Sequence, residues 1–323
     1  METKRGYASP MKPFVAILAA LVLAAACRKE APIETSTMST DTTASTATTA
    51  SAAPVAFDPN THRAEITDWQ AKRAQRLQAE DGWLTLVGLH WLKDGTNDVK
   101  LANGKTVQIA MQNGKATLTA KPPMTIDDKA VEGPTPVLDD NDENGPTIVK
   151  MGSVRFNVIE RGPRFALRVK DSQSETRTKF KGLEYYPIDP KWRVEARFEP
   201  YTPVKKIPIT DITGMTQNSD APGALVFTIE GHEYRIDPVL EEGSDELFLI
   251  FRDATSKDTT YPAGRYLYAK KPGADGKTII DFNRAYNPPC AFTAFATCPM
   301  PPLQNRLPIR IEAGEKKYAG GHA

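Results

Sequence analysis

The chain has 323 residues, and its 41 Lys and Arg against 40 Asp and Glu leave a formal net charge of +1. Without the first 26 residues the balance is 38 to 39, so there is no basic excess to hold a nucleic-acid backbone and a nucleic-acid partner is excluded. Apolar residues at 40%, with 21 Gly and 26 Pro, are ordinary for a globular protein, and the length permits one large or two small domains.

Lys4, Arg5 and Lys12 precede a 13-residue apolar run from Phe14 to Ala26. The run is shorter than the roughly 20 residues a membrane-spanning helix needs, and a charged start followed by a short apolar core reads as a secretory signal over residues 1–26. It ends Leu23-Ala24-Ala25-Ala26-Cys27, which looks like a lipobox whose Cys27 becomes the lipidated first residue. Ala24 stands where Leu is usual, and cleavage at an Ala-x-Ala site without lipidation is the alternative. From Thr35 to Ala53, 17 of 19 residues are Ser, Thr or Ala. Such a segment cannot bury enough apolar area to offset its ordering entropy, so 27–57 reads as a disordered tether from a membrane-held Cys27. Arg28 after the cysteine resembles outer-membrane sorting, facing the periplasm, if the host is Gram-negative.

A folded body is expected over 58–318, with 319–323 a tail. Thr61 to Gln78 reads as a helix capped by Asn60 or Thr61 and stopped by Asp81-Gly82. Ile66, Trp69 and Leu77 share its apolar face, and Lys72, Arg73 and Arg76 are placed on a solvated face. The period then changes from 3.6 to 2. Asn103-Gly104 and Asn113-Gly114 sit between short runs at Val99–Leu101, Lys105–Ile109 and Ala116–Ala120, a strong hairpin signal. Further alternating runs lie at 154–158, 165–169, 192–198, 225–229, 234–236, 247–251, 265–270, 278–282 and 307–311. One N-terminal helix followed by about a dozen strands predicts a mostly β fold, an antiparallel sandwich or barrel-like body. The acidic, Pro-rich stretch Pro134 to Pro146 reads as a surface loop and a candidate subdivision. It lacks the spacing of a calcium loop.

The common catalytic signatures are missing: no G-x-S-x-G, Walker loop, G-x-G-x-x-G or H-E-x-x-H occurs. With only His62, His90, His232 and His322, a histidine-rich metal site is not expected, and no cofactor is implied. His90, between Leu89 and Trp91, reads as a packed residue or, alternatively, a catalytic base. His232 follows a turn and is expected in solvent. Chemistry is densest near the C-terminus. Arg252, Asp253, Tyr261, Arg265, Asp281, Asn283, Tyr286, Asn287 and Asn305 are interleaved with prolines that set loop shape. They suit recognition of a polar small molecule, or equally a network tying loop backbones together. Cys290 and Cys298 remain once Cys27 is lipidated. In an exported protein a disulfide is the leading expectation, ahead of free or redox-active thiols and of a metal site.

The same residues carry a resemblance. Asp81-Gly82-Trp83-Leu84-Thr85-Leu86-Val87-Gly88-Leu89-His90-Trp91-Leu92, then Phe251-Arg252-Asp253-Ala254-Thr255 with Tyr261 and Gly264-Arg265, then Asp281-Phe282-Asn283-Arg284-Ala285-Tyr286-Asn287-Pro288-Pro289-Cys290 through Asn305-Arg306-Leu307, resemble three ordered motifs of the bacterial and archaeal family called domain of unknown function 1684. The resemblance runs from about residue 65 to 316 and implies no catalytic role.

Three functions follow as expectations. One is a lipid-anchored envelope protein holding a small polar ligand on the C-terminal loops. The second is an envelope hydrolase or lyase in which Asp253 or Asp281, with Arg265 or Arg252 and His90, does the chemistry. The third is a structural or partner-binding lipoprotein. The expected partners are the membrane, through Cys27, and a small ligand. Nothing in the sequence sets an oligomeric state.

Overall fold

A computed structural model describes residues 57–119, 123–241 and 243–320. The signal segment, Cys27 and the Ser/Thr/Ala-rich tether lie outside the described residues.

The first element is α1 (Pro59–Gln78). Its cap is Asp58, two or three residues earlier than expected, whose carboxylate accepts from the backbone N–H of Asn60 and Thr61, with Pro59 preset at the first helical position. The buried stripe is His62, Ile66, Arg73 and Leu77, so Arg73 is a core residue rather than part of a solvated face. The strands that follow are β1 (Leu86–Leu92), β2 (Gly95–Lys100), β3 (Thr106–Gln112), β4 (Lys115–Thr119), the short β5 (Thr125–Ile126), β6 (Lys129–Ala130) and β7 (Thr135–Val137), β8 (Val149–Met151), β9 (Val154–Arg161) and β10 (Arg164–Asp171). The single turn α2 (Glu175–Thr178) leads on to β11 (Arg193–Thr210), β12 (Thr216–Ile229), β13 (His232–Ile236), β14 (Val239–Leu240), β15 (Glu246–Phe251), β16 (Arg265–Lys270) and β17 (Lys277–Asp281). The fold is mostly β, in antiparallel sheets, with one N-terminal helix.

Two sheets build the N-terminal half, in orders β1-β10-β9-β8-β5-β6 and β2-β3-β4-β7. Alternation decides which residues face inward: Phe156, Val158, Leu167 and Val169 of one sheet meet Val107, Ile109 and Leu118 of the other. The loop containing Pro134–Pro146 supplies β7 to this half. Asn113 and Gly114 both have positive φ, as the two-residue turn between β3 and β4 demands. At Asn103-Gly104 only Gly104 does, and the Asn103 side chain closes that longer turn by accepting from Lys105.

The C-terminal half pairs the sheet β13-β12-β11-β17 with the sheet β14-β15-β16. Trp192, Leu225 and Phe227 pack there on Leu249, Phe251 and Leu267. The strand expected at 307–311 is absent. Asn305, Leu307 and Ile309 instead make three backbone bonds with Arg252 and Ala254, a short parallel bridge. The β11–β12 hairpin slips register between Pro200 and Lys205. Its outer part carries Ile207, Ile209 and Ala221 onto the other face of β15–β16, against Phe248, Ile250 and Tyr266, with Leu86 of β1 in the same cluster. Among the described residues no helix is long and apolar enough to cross a membrane.

Candidate functional site

A cavity of about 710 Å³ opens beside that third cluster. Strands β9 and β10 contribute Arg161 and Arg168, α1 contributes Trp69, Arg73 and Arg76, and Trp83 precedes β1. The opposite wall is Ile209, Met215, Val239, Leu240, Phe248 and Ile250, with Tyr266, Tyr268 and Tyr286 forming an aromatic side. Ala296, Thr297, Cys298 and Pro299 close it from the Pro-rich loop.

The arginines differ in state. Arg73 is committed: its Nε donates to Glu315 at 2.9 Å, its Nη2 to the Asn287 carbonyl at 2.9 Å, and its guanidinium lies 4.7 Å from the Tyr286 ring centre. Arg161 is held as a fork on Asp140, at 3.1 and 2.8 Å, and its Nε reaches Thr297. The acidic loop thus has a definite task, which is to aim Arg161. Arg168 has no such arrangement. Because Leu167 and Val169 face the N-terminal core, Arg168 faces the C-terminal half. Its Nε is buried without a hydrogen-bond partner, and among the described residues no carboxylate lies within ion-pair distance of it. Burial, and then repulsion from Arg161, push its pKa down to about 10, so it stays cationic at neutral pH. Trp83 lies 5.5 Å beneath it. Across the cavity, Tyr286 stacks on Tyr268 and meets Tyr266 edge-on. Burial raises all three phenol pKa values and keeps them protonated.

Of the residues expected to bind ligand, Tyr286 alone lines this cavity. The others are brought together as ties within the protein. Asp253 pairs with Arg265 at 3.1 Å and accepts from Ile311 N–H and the Thr255 hydroxyl. Arg265 also donates to the Ile311 and Ala313 carbonyls, and burial lowers its pKa. Asn305 joins Asp237 to Ile250. Asn283 joins Asp189 to Asp281, and Asp281 receives His62 at 2.7 Å. Asn287 takes Glu315 on its N–H and gives its amide to Lys316. Tyr261 donates to the Cys290 carbonyl. Arg252 is half-buried and bridges by its backbone to Arg306. His90 sits half-buried in β1 opposite Leu167, its pKa lowered by burial, away from the cavity. His232 is exposed at the start of β13.

The expected disulfide is not formed: Cys290 and Cys298 are free, buried thiols. The Cys298 sulfur instead accepts from the backbone N–H of Cys290 at 3.0 Å. The contact between the two thiols holds Cys290 below the ordinary thiol value and, with burial, pushes Cys298 far above it. Other bonds hold the loop: Tyr266 to the Pro299 carbonyl, Ile212 N–H to the Cys298 carbonyl, and Met300 N–H to the Thr210 carbonyl. Among the described residues no group of three or more His, Cys, Asp or Glu is placed to hold a metal.

The family model described as "Protein of unknown function (DUF1684)" matches residues 178–316. That region belongs to the DUF1684 family. It holds every C-terminal motif residue from Arg252 to Asn305 and the Tyr-rich wall of the cavity. The Asp81–Leu92 segment, Arg161 and Arg168 lie before it, so the family match is shorter than the 65–316 the sequence motifs suggested. A solution NMR structure of an uncharacterized protein of Haloarcula marismortui is 30% identical, covering 45% of this chain and 80% of that one, at a TM-score of 0.38. No curated protein matches the chain.

Arg161 and Arg168 were not singled out from sequence. Their only signal was alternation: Arg168 takes the face opposite Leu167 and Val169, a position that reads equally well as solvent.

Proposed function

We propose that the protein is a lipid-anchored cell-envelope protein that binds a small organic anion in the cavity between β10 and the DUF1684 region. One observation carries the reading: Arg168 is a partly buried guanidinium at a roomy, aromatic-lined cavity, and among the described residues it has no carboxylate within ion-pair distance and no hydrogen-bond partner for its Nε. An unpartnered buried cation is costly, and a bound carboxylate or phosphate would offset that cost with charge-assisted bonds. Arg76, on the exposed side of α1, adds a second cation at the wall. The membrane anchor rests on the run ending Ala24-Ala25-Ala26-Cys27 and on the tether after it.

The polar motif residues support a scaffold role beside this site. Asp253, Arg265, Asn283, Asn287 and Asn305 are buried and bonded to one another's loops. A hydrolase or lyase role through Asp253, Asp281 and His90 lacks comparable support, since none of them lines the cavity.

A thermal-shift panel of organic carboxylates and phosphates, with neutral and cationic analogues, tests the binding. Some anions are expected to raise Tm in wild type and to lose that effect in Arg168→Gln. An equal shift in both proteins, or no shift with any anion, would overturn the reading. Mass spectrometry of the mature N-terminus tests the anchor: an acylated Cys27 is expected, and an unmodified one would refute it.

A further inference from the structure

The anion-binding reading says nothing about the rest of the ligand, and the cavity walls do. The cations gather on one side, from β9, β10 and α1. The other side carries Ile209, Met215, Val239, Leu240 and Ile250, interrupted by Asp211, Gln217, Ser219 and Glu241. Exposed apolar side chains lie on or next to lining residues. Leu240 lines it and is 38% exposed. Ile212, next to the lining residue Asp211, is 44% exposed, and Phe295, next to the lining residue Ala296, is 37% exposed. Ile212 and the Phe295 loop are tied together, because the Ile212 N–H donates to the Cys298 carbonyl. A cationic end and a part-exposed apolar side match a molecule with an anionic head and a hydrocarbon tail.

We infer that the ligand is an anionic amphiphile, a fatty carboxylate, with its head on Arg168 and its chain running along Ile209, Val239 and the part-exposed Leu240. The inference rests on the proposed anion site. The Arg168 guanidinium presents one bidentate fork, which suits a carboxylate, and Arg76 adds a second cation from the exposed side of the wall. Two carboxylates also line the cavity and would repel a head group placed beside them, so the head goes to Arg168: Asp211 accepts from Thr213 and Met215 within its own turn, and Glu241 accepts from the Tyr268 hydroxyl.

Calorimetry on the full chain in detergent-free buffer, below micellar concentrations, separates the two levels. The probes are acetate, hexanoate, decanoate, benzoate and decylamine. Affinity is expected to rise by up to about fourfold per added methylene from acetate to decanoate, and decylamine is not expected to bind. Arg168→Gln is expected to weaken decanoate by roughly tenfold or more. Leu240→Ala, which adds no charge, is expected to weaken decanoate more than benzoate, and an equal effect on both would contradict a chain lying on Leu240. If acetate or benzoate binds as tightly as decanoate, the amphiphile inference fails and the anion site stands. If no anion binds, both fail. If decanoate binds Arg168→Gln as well as wild type, or decylamine binds equally, the head-on-Arg168 geometry is wrong.

Discussion

Asp253→Ala separates scaffold from chemistry most sharply among the C-terminal motifs. Arg265 is 1% exposed, and the Asp253 side chain is fully buried against it. Removing the carboxylate strands a guanidinium whose remaining partners are the Ile311 and Ala313 carbonyls, because its Nε has none. It also frees the Ile311 N–H and the Thr255 hydroxyl. Breaking a buried pair from one side costs about 3–5 kcal/mol, a large part of the roughly 5–15 kcal/mol that stabilises an ordinary domain. At about 2–4 °C per kcal/mol for a body of this size, Tm is expected to fall by roughly 6–20 °C. Differential scanning calorimetry reads the loss. The double variant Asp253→Leu/Arg265→Met removes both charges and is expected to recover most of it, even if Asp253→Ala alone fails to fold. A Tm within about 2 °C of wild type for Asp253→Ala would refute the burial reasoning.

Arg73→Ala cuts the ties from α1 to Glu315 and Asn287, with an expected loss of about 3–5 kcal/mol and faster thermolysin cleavage within α1; unchanged protection would show that apolar contacts alone dock the helix. Thiol titration of unfolded, unreduced mature protein is expected to find both Cys290 and Cys298 reactive, and neither while folded; no reactive thiol after unfolding would establish a disulfide. Bonds from Thr61 lower the Asp58 pKa from 3.8, so its cap contributes fully above that value and is lost as pH falls through the lower folded value. Acid unfolding of Asp58→Asn should therefore show less loss of stability below about pH 4 than wild type, and identical acid profiles would contradict this.

The fold class was legible because alternation and turn chemistry are local. Phe156 and Val158, Leu167 and Val169, and the Asn113-Gly114 turn each announce themselves within a few residues. What failed locally failed for long-range reasons. Arg73 looks like part of a solvated helix face, and only Glu315, far along the chain, makes it a core residue. The segment 307–311 alternates like a strand, but its backbone partner is the short stretch Arg252–Ala254, far back in the sequence, and the pairing stops at a bridge. The C-terminal polar residues stood out as unusual chemistry, and the structure uses them to tie loops. The cavity was invisible because it forms where α1, β10 and the DUF1684 region meet, and no stretch of sequence contains it. Arg168 shows the limit best: an arginine alternating with core valine and leucine reads as solvent until a second layer covers it.

A crystal structure of the protein grown with a brominated decanoate, located by anomalous scattering, tests the central claim directly. The expected result is a carboxylate about 3 Å from two nitrogens of the Arg168 guanidinium, with the bromine toward Leu240. Arg168 paired instead with a carboxylate of the chain, and no bromine signal in the cavity, would contradict it.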